Sequence, residues 1–261
     1  MKNKIFFIVF VFSLSGMLIL NDCVHKKQEK KAEQSVSSDE VVTKKTEAYN
    51  VLTPEEKKEG WELLFNGKNL DGWRGFRMDT VPDNWTVEDN CLVCLGKGSD
   101  KSGDIITSRE FENFDLKLEW KISPAGNSGI FYHVVEDHYP TPYATGPEYQ
   151  LIDDLGWPGK LNDWQTTGAN YAMDPPVNAK IKPALTWNSA EIVVNGPHVI
   201  HYLNGSKVVE YDLWTDEWKA KVKNCKWKDY PGYGLAHKGH IGLQDHGSKI
   251  WFRNIRIKVF N

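Results

Sequence analysis

Residues 114–122 read FDLKLEWKI, a run in which apolar and charged side chains alternate without a break. Successive side chains of a β-strand point to opposite faces, so this run predicts a strand with one buried and one solvated face. Sheets that cover a core on one side only are typical of antiparallel architectures. The run therefore predicts an antiparallel sheet packed over a hydrophobic core.

Further short runs of strand-like sequence lie on both sides of this one, separated by turn residues. Asn204-Gly205 stands between two apolar runs and predicts a hairpin, because both residues tolerate positive φ. Strands without alternating helices predict an all-β antiparallel sandwich with few short helices, one of them beginning at Thr53. The predicted strands are Glu62–Phe65, Trp85–Glu88, Cys91–Leu95, Asp104–Thr107, Phe114–Ile122, Gly129–Val135, Glu148–Ile152, Ala190–Val194, Val199–Leu203, Lys207–Tyr211, Gly239–Leu243 and Lys249–Val259.

The first part of the chain has the composition of a targeting segment followed by a tether. Residues 1–22 predict an export signal, with Lys2 and Lys4 ahead of an apolar run that is short for a membrane span. Cys23 follows directly and predicts lipid attachment, although Asp22 is unusual before such a cysteine, and an uncleaved anchor is the alternative. Residues 23–53 predict a disordered tether. We expect a single folded domain over residues 54–261, in the periplasm or at the outer membrane, that contacts the membrane only through the lipid.

Charge and cysteine content exclude two classes of function. A net charge of −3 and the lack of a basic block among aromatic residues argue against nucleic-acid binding. Cys91-x-x-Cys94 has no second pair at metal spacing, which makes a zinc site improbable. With Cys225 these thiols leave two arrangements open, one disulfide plus a free thiol, or buried thiols throughout.

Several segments, taken in order, resemble the 3-keto-disaccharide hydrolase family over residues 59–261. The resemblance implies a concanavalin-like jelly-roll sandwich of two curved antiparallel sheets, with a sugar groove on the concave side. It also implies cleavage of glycosides oxidised at C3, by hydrolysis or by elimination. A non-catalytic carbohydrate-binding module and a structural surface lipoprotein are the alternatives. The segments are ELLFNGKNLDGW (62–73), GNSGI (126–130), EYQLID (148–153), Trp187-Asn188, HYLNG (201–205) and the closing run 239–258.

The chemistry of a C3 ketone indicates which residue types to look for. The ketone acidifies the C2 proton, so the site needs a base near C2, a donor at the C3 oxygen and an acid at the leaving oxygen. Glu148 could act as the base, and His246 is the alternate acid or base, since imidazole exchanges protons near neutral pH. The two form the predicted proton-transfer pair. Asp153 is a further catalytic candidate, and Lys238 or His240 could donate to the enolate oxygen. For each of them a solvated or purely structural role is the competing interpretation.

A second set of residues is predicted to bind the sugar. Gln150 shares a strand face with Glu148 and could hold a hydroxyl. Arg253 interrupts the apolar alternation of its strand, so it should pair with a carboxylate or face the groove. Trp164 lies with Tyr143, Trp157 and Tyr171 in the long segment 139–183, where aromatic faces could stack on pyranose rings or form a small core. The remaining candidates are Asn127, Ser128, His133, Gln244 and Asp245.

Metal binding and ordinary hydrolysis also stay open. Asp153, Asp154 and Asp163 could bind Ca²⁺ with neighbouring carbonyls, although EF-hand spacing is absent. No other cofactor is predicted. Glu148 with Asp153 or Asp245 could supply the two carboxylates of a conventional glycosidase.

Overall fold

The computed structural model of the protein describes residues 49–96, 103–136 and 138–260. The predicted signal, the lipid-attachment cysteine and most of the predicted tether lie outside these residues. Within the tether prediction, Asn50 is buried, and its backbone N–H donates to Asn254 Oδ1 at 2.7 Å. In the described ranges, no helix has the length and apolar character needed to cross a bilayer.

Two antiparallel sheets form a sandwich, which confirms the predicted all-β jelly-roll class. The first sheet has eight strands, β1 (Trp61–Leu63), β3 (Trp85–Glu88), β4 (Cys91–Cys94), β6 (Phe114–Ile122), β9 (Asn188–Asn195), β10 (His198–Leu203), β11 (Ser206–Asp212) and β13 (Ile250–Val259). Their order is β11-β10-β9-β6-β13-β4-β3, with β1 also paired to β13. The second sheet has five strands in the order β2-β5-β12-β7-β8, namely β2 (Trp73–Gly75), β5 (Ile105–Phe111), β12 (Gly239–Leu243), β7 (Asn127–Val134) and β8 (Glu148–Ile152).

Strand β6 lies near the middle of the first sheet and follows its sequence pattern residue by residue. Its five apolar side chains are at most 2% exposed, and the charged side chains between them are half-buried on the other face. From the second sheet, Ile130, Tyr149, Leu151 and Ile241 face them across the same core. Each fully buried side chain of this size contributes about 1.5–3 kcal/mol, so the interface between the sheets holds the fold together.

Helical structure is sparse, as expected, but one of the two α-helices has no hydrophobic periodicity and was not predicted. Helix α1 (Pro54–Lys58) has the predicted capping box between Thr53 and Glu56. Helix α2 (Asp216–Lys223) begins after Thr215, whose hydroxyl accepts from the Trp218 N–H at 3.1 Å. Only Trp218 of this helix is buried. A helix with one buried residue has no apolar stripe, so its periodicity is invisible in the sequence.

Arg253 lies on the solvent face of the first sheet, where it pairs with a carboxylate. Its Nε is 2.6 Å from Glu119 Oε2, and its guanidinium lies 3.7 Å and 3.9 Å from the ring centres of Tyr49 and Trp187. The sequence predicted either an ion pair or a substrate contact for this arginine, and the structure shows the ion pair. The substrate contact has no support here, because Arg253 does not border the pocket described below.

We expect Arg253→Ala to lower the free energy of unfolding by about 1–3 kcal/mol, since it removes both ring contacts and a charge-assisted hydrogen bond. Turnover should be unchanged. Urea denaturation followed by tryptophan fluorescence, with kinetics on the same preparation, measures both. Arg109→Ala is the matched control, because its pair with Glu62 is well exposed and should contribute below about 1 kcal/mol. A wild-type stability with impaired substrate binding would instead favour the sugar contact.

Candidate active site

A pocket of about 270 Å³ opens on the face of the second sheet that is turned away from the core. Strands β7 and β8 and the turn after β12 supply its floor, and the loops after β7 and after α2 supply its walls. The pocket is lined by Phe76, Asp104, Asn127, Pro140, Thr141, Pro142, Tyr143, Glu148, Gln150, Tyr171, Lys226, Gln244, Asp245 and His246. Six of the predicted site residues are therefore brought together: Asn127, Glu148, Gln150, Gln244, Asp245 and His246.

Gly129 is the centre of the pocket floor. It is paired with Gln150 on β8, and on the other side its carbonyl accepts from the Gln244 N–H at 3.0 Å. A Cβ atom at position 129 would lie 2.5 Å from Glu148 Oε1. The space above this glycine is thus occupied by the Glu148 carboxylate. Gln150 flanks it on β8, and Gln244 flanks it directly after β12.

The Glu148 carboxylate is buried and has no donor from the protein. The residue is 4% exposed, and none of the described residues hydrogen-bonds to its side chain. Burial raises the pKa of Glu148 well above its ordinary value. The positive charge of Lys226 acts in the opposite direction, and the carboxylate of Asp104 raises the pKa further. A carboxylate in this setting is a stronger base than one in water.

Three amide oxygens around Glu148 also lack donors. Asn127 Oδ1, Gln150 Oε1 and Gln244 Oε1 are buried without a hydrogen-bond partner in the described structure. The Gln150 amide is held in place, since its Nε2 donates to Gln165 O at 3.1 Å. Buried acceptors are normally paired, so such a cluster indicates a ligand rich in hydroxyl donors.

The turn after β12 is fixed by hydrogen bonds from several sides. Asp245 accepts from Asn84 Nδ2 at 2.6 Å and from the Gly247 N–H at 2.9 Å, while its own N–H donates to Asp104 Oδ1 at 2.8 Å. Burial, together with the charge of Asp245, raises the pKa of Asp104 to about 7. The turn places His246 at the edge of the same pocket.

Three further predicted substrate contacts, Ser128, Trp164 and His133, do not line the pocket. Ser128 Oγ donates to Gln244 O at 2.8 Å from the core side of β7, which supports the turn. Trp164 packs edge-on against Tyr171, with ring centres 5.7 Å apart, so it stands behind a lining residue. His133 is 1% exposed, and its Nε2 is hydrogen-bonded to Glu112 O at 2.8 Å. His133 is therefore part of the packed interior.

The other predicted catalytic residues are placed in structural contacts. Asp153 accepts from the Ala125 N–H at 2.8 Å and from the Gly156 N–H at 3.1 Å, because the chain turns at the end of β8. Lys238 Nζ and His240 Nε2 lie 3.9 Å and 3.8 Å from the Glu110 carboxylate. Neither Lys238 nor His240 borders the pocket.

Two carboxylates of the long loop likewise accept hydrogen bonds from backbone amides. Asp154 accepts from the Thr167 N–H at 3.0 Å, and Asp153 binds the two amides given above. Across the described ranges, no group of three or more His, Cys, Asp and Glu side chains is arranged to hold a metal ion. Asp153, Asp154 and Asp163 therefore do not form the three-carboxylate group considered for Ca²⁺. The three thiols Cys91, Cys94 and Cys225 are all free.

Two ionisable lining residues had no sequence signal. Asp104 comes directly before β5, where the sequence predicted an ordinary strand, and Lys226 lies in a lysine-rich stretch typical of solvated surface. Both become visible only when the chain is folded, because the contacts that mark them join segments far apart in sequence.

A β-sandwich whose pocket holds a buried carboxylate, amide oxygens without donors and aromatic lining residues has the features of a carbohydrate-active protein. The chain matches the 3-keto-alpha-glucoside-1,2-lyase-like domain over residues 60–258 and belongs to that family. This confirms the resemblance drawn from the sequence.

Individual relatives cover the same region. A 3-keto-disaccharide hydrolase of Bacteroides thetaiotaomicron is 36% identical, over 99% of this chain and 100% of the relative. A crystal structure from Parabacteroides distasonis, provisionally assigned as a glycosyl hydrolase, has a TM-score of 0.77 and 42% identity, over 82% of this chain and 100% of the other. A second crystal structure from the same organism, with the same assignment, has a TM-score of 0.62 and 32% identity, over 77% of this chain and 99% of the other.

Proposed function

We propose that the protein cleaves the glycosidic bond of 3-keto-glycosides, with 3-keto-disaccharides as the substrate class. The observation that carries this proposal is the Glu148 carboxylate, buried over Gly129 among amide acceptors and without a protein donor. The curated name of the Bacteroides thetaiotaomicron relative supports the substrate class.

The proposed reaction begins with proton abstraction. Glu148 takes the proton from C2, the C2–H electrons form the C2=C3 bond, and the ketone π electrons move to the C3 oxygen. The carbonyl then re-forms, the C1=C2 bond forms and the C1–O bond breaks. His246, in its protonated form, supplies the proton that the leaving oxygen requires. Elimination stops at this 1,2-unsaturated ketone, and later addition of water at C1 gives the hydrolysis product.

Binding of the sugar is assigned to the uncharged groups of the pocket. Asn127, Gln150 and Gln244 would accept hydrogen bonds from ring hydroxyls, which satisfies their buried oxygens. Tyr143 and Tyr171 also line the pocket, and an aromatic ring there would stack on the C–H face of a pyranose.

The product of a single incubation tests the proposal. The purified protein is mixed with a 3-keto-glucoside, and the products are identified by mass. A gain of water indicates hydrolysis, and a 2-hydroxyglucal-type enone indicates elimination. The unoxidised glucoside is the control and should be inert. Cleavage of the unoxidised sugar would favour conventional glycosidase chemistry, and glycan retention on an affinity column without any product would favour a binding module.

The dependence of activity on pH follows from the Glu148 environment. The base acts only when ionised, and its raised pKa moves the acid limb of kcat/KM above the ordinary 4.5. Asp104→Asn removes a charge that raises the pKa of Glu148, so the limb should move to lower pH. Asparagine still accepts from the Asp245 N–H. A kcat/KM profile of both proteins measures the shift, and an unmoved or raised limb would contradict it.

We also propose that the chain is exported and anchored through Cys23. The composition of residues 1–22 and the position of the cysteine support this. Labelling of cells with a fatty-acid analogue should mark the wild type and not Cys23→Ser, and labelling of both would remove the anchor assignment.

A further inference from the structure

The ammonium group of Lys226 faces the pocket without a polar partner. It lies 4.2 Å from the ring centre of Tyr171, 4.1 Å from that of Trp227 and 5.9 Å from that of Tyr143. Among the described residues, none accepts a hydrogen bond from it or forms an ion pair with it. By contrast, Lys221 and Lys249 each have a carboxylate at 2.8 Å.

The aromatic groups around Lys226 are themselves fixed. Trp227 is fully buried, and its Nε1 donates to Tyr171 O at 3.1 Å. Tyr143 packs edge-on against Tyr230, with ring centres 5.7 Å apart. Rings in fixed positions hold a cation by their negative faces while leaving its N–H donors free. The ammonium therefore has donors to offer to a ligand.

Lys226 and Glu148 act on each other across the pocket. The positive charge of Lys226 lowers the pKa of Glu148. Burial lowers the pKa of Lys226, and the Glu148 carboxylate acts against that effect. The two groups are not in direct contact, since no ion pair joins them in the described structure. Both residues line the pocket.

We propose that Lys226 donates to the C3 oxygen of the bound 3-keto sugar and stabilises the enolate that Glu148 generates. This inference rests on the proposed function. When Glu148 removes the C2 proton, the electron pair ends on the C3 oxygen, one carbon away from the site of abstraction. A stabilising cation must then lie beside the base without being paired to it, which is the placement of Lys226. A compact ammonium suits a localised oxyanion.

The two residues that the sequence suggested for this role are occupied elsewhere. Lys238 and His240 both lie beside Glu110, at the other end of β12 from the Gln244 turn. Lys226 is the lysine that lines the described pocket. It therefore replaces them as the enolate donor.

The test compares Lys226→Met with Lys226→Arg and with Lys228→Met. Lys228 is a control in the same 3-10 helix, Lys226–Asp229, and does not line the pocket. Each protein is first shown to unfold at the wild-type temperature. Lys226→Met should lower kcat by about a hundredfold, and Lys226→Arg should recover part of the loss. Exchange of the C2 proton with deuterated solvent, followed by NMR, should slow in parallel. Lys228→Met should match the wild type.

Two further readouts separate chemistry from binding and from structure. The Kd for the unoxidised glucoside should change less than about twofold, since it has no enolate to stabilise. The acid limb of kcat/KM should move to higher pH in Lys226→Met, because a charge that lowers the pKa of Glu148 is gone. Wild-type kcat and proton exchange in Lys226→Met would overturn the role of Lys226 and leave the proposed function standing. A wild-type enzyme that neither cleaves the 3-keto-glucoside nor exchanges its C2 proton would overturn both.

Discussion

Glu148→Gln should lower turnover of a 3-keto-glucoside by about a thousandfold, because it removes the base and keeps its shape. Glutamine fits the same space over Gly129 and leaves the neighbouring amides in place. The free energy of unfolding should not fall, since an unpaired buried carboxylate is costly to the folded state. Single-turnover kinetics with mass detection, together with a thermal melt, measure the two effects.

The control for this substitution is Glu210→Gln, which alters an exposed carboxylate paired with Lys207. It should leave kcat unchanged. A loss confined to Glu148→Gln, with C2 deuterium exchange abolished in the same variant, identifies proton abstraction as the affected step. If Glu148→Gln cleaves the 3-keto sugar at the wild-type rate, Glu148 is not the base.

Local sequence signals were sufficient for most of the fold. Strands Trp85–Glu88, Glu148–Ile152 and Gly239–Leu243 have the predicted bounds, and Phe114–Ile122 buries the predicted face. These runs are bounded by turn residues or alternate in polarity, and both properties are local. Strand β2 has only three residues, too few to alternate, and so it was missed.

The part of the pocket formed by β8 and the turn after β12 was predictable for a similar reason. Glu148 and Gln150 share a strand face by parity, and Gln244 to His246 follow the end of a recognisable strand. That these segments meet depends on the order β12-β7-β8, which no single segment specifies. The family resemblance supplied that step, by implying one groove.

Residues whose roles depend on side-chain partners were not predictable. Asp153 follows the last residue of its strand, but the chain turns there, and its carboxylate binds the Ala125 and Gly156 amides. Lys226 is the reverse case. Its charged stretch indicates solvated surface, but in the structure it packs against Trp227 and lines the pocket. In both cases a contact distant in sequence decides the role.

Gly129→Ala should impair catalysis strongly although it adds only one methyl group. The new Cβ would lie 2.5 Å from Glu148 Oε1 and 3.0 Å from its Cδ, so the carboxylate must move. Displacing a base by about 1 Å costs on the order of a hundredfold in rate. Because the displaced atoms end a flexible side chain and the backbone at 129 has no positive φ, the unfolding temperature should stay near that of the wild type.

The matched control is Gly242→Ala, on the neighbouring strand β12. Its Cβ would lie 3.2 Å from the Phe131 side chain and does not approach Glu148. We expect Gly242→Ala to keep most of the wild-type kcat, while Gly129→Ala loses it and also binds the unoxidised glucoside less well. Equal kcat values for Gly129→Ala and the wild type would show that the position of the Glu148 carboxylate over Gly129 does not matter for the reaction. A large loss of kcat in Gly129→Ala would show that the rate depends on the position of the Glu148 carboxylate over residue 129, without any substitution of Glu148 itself.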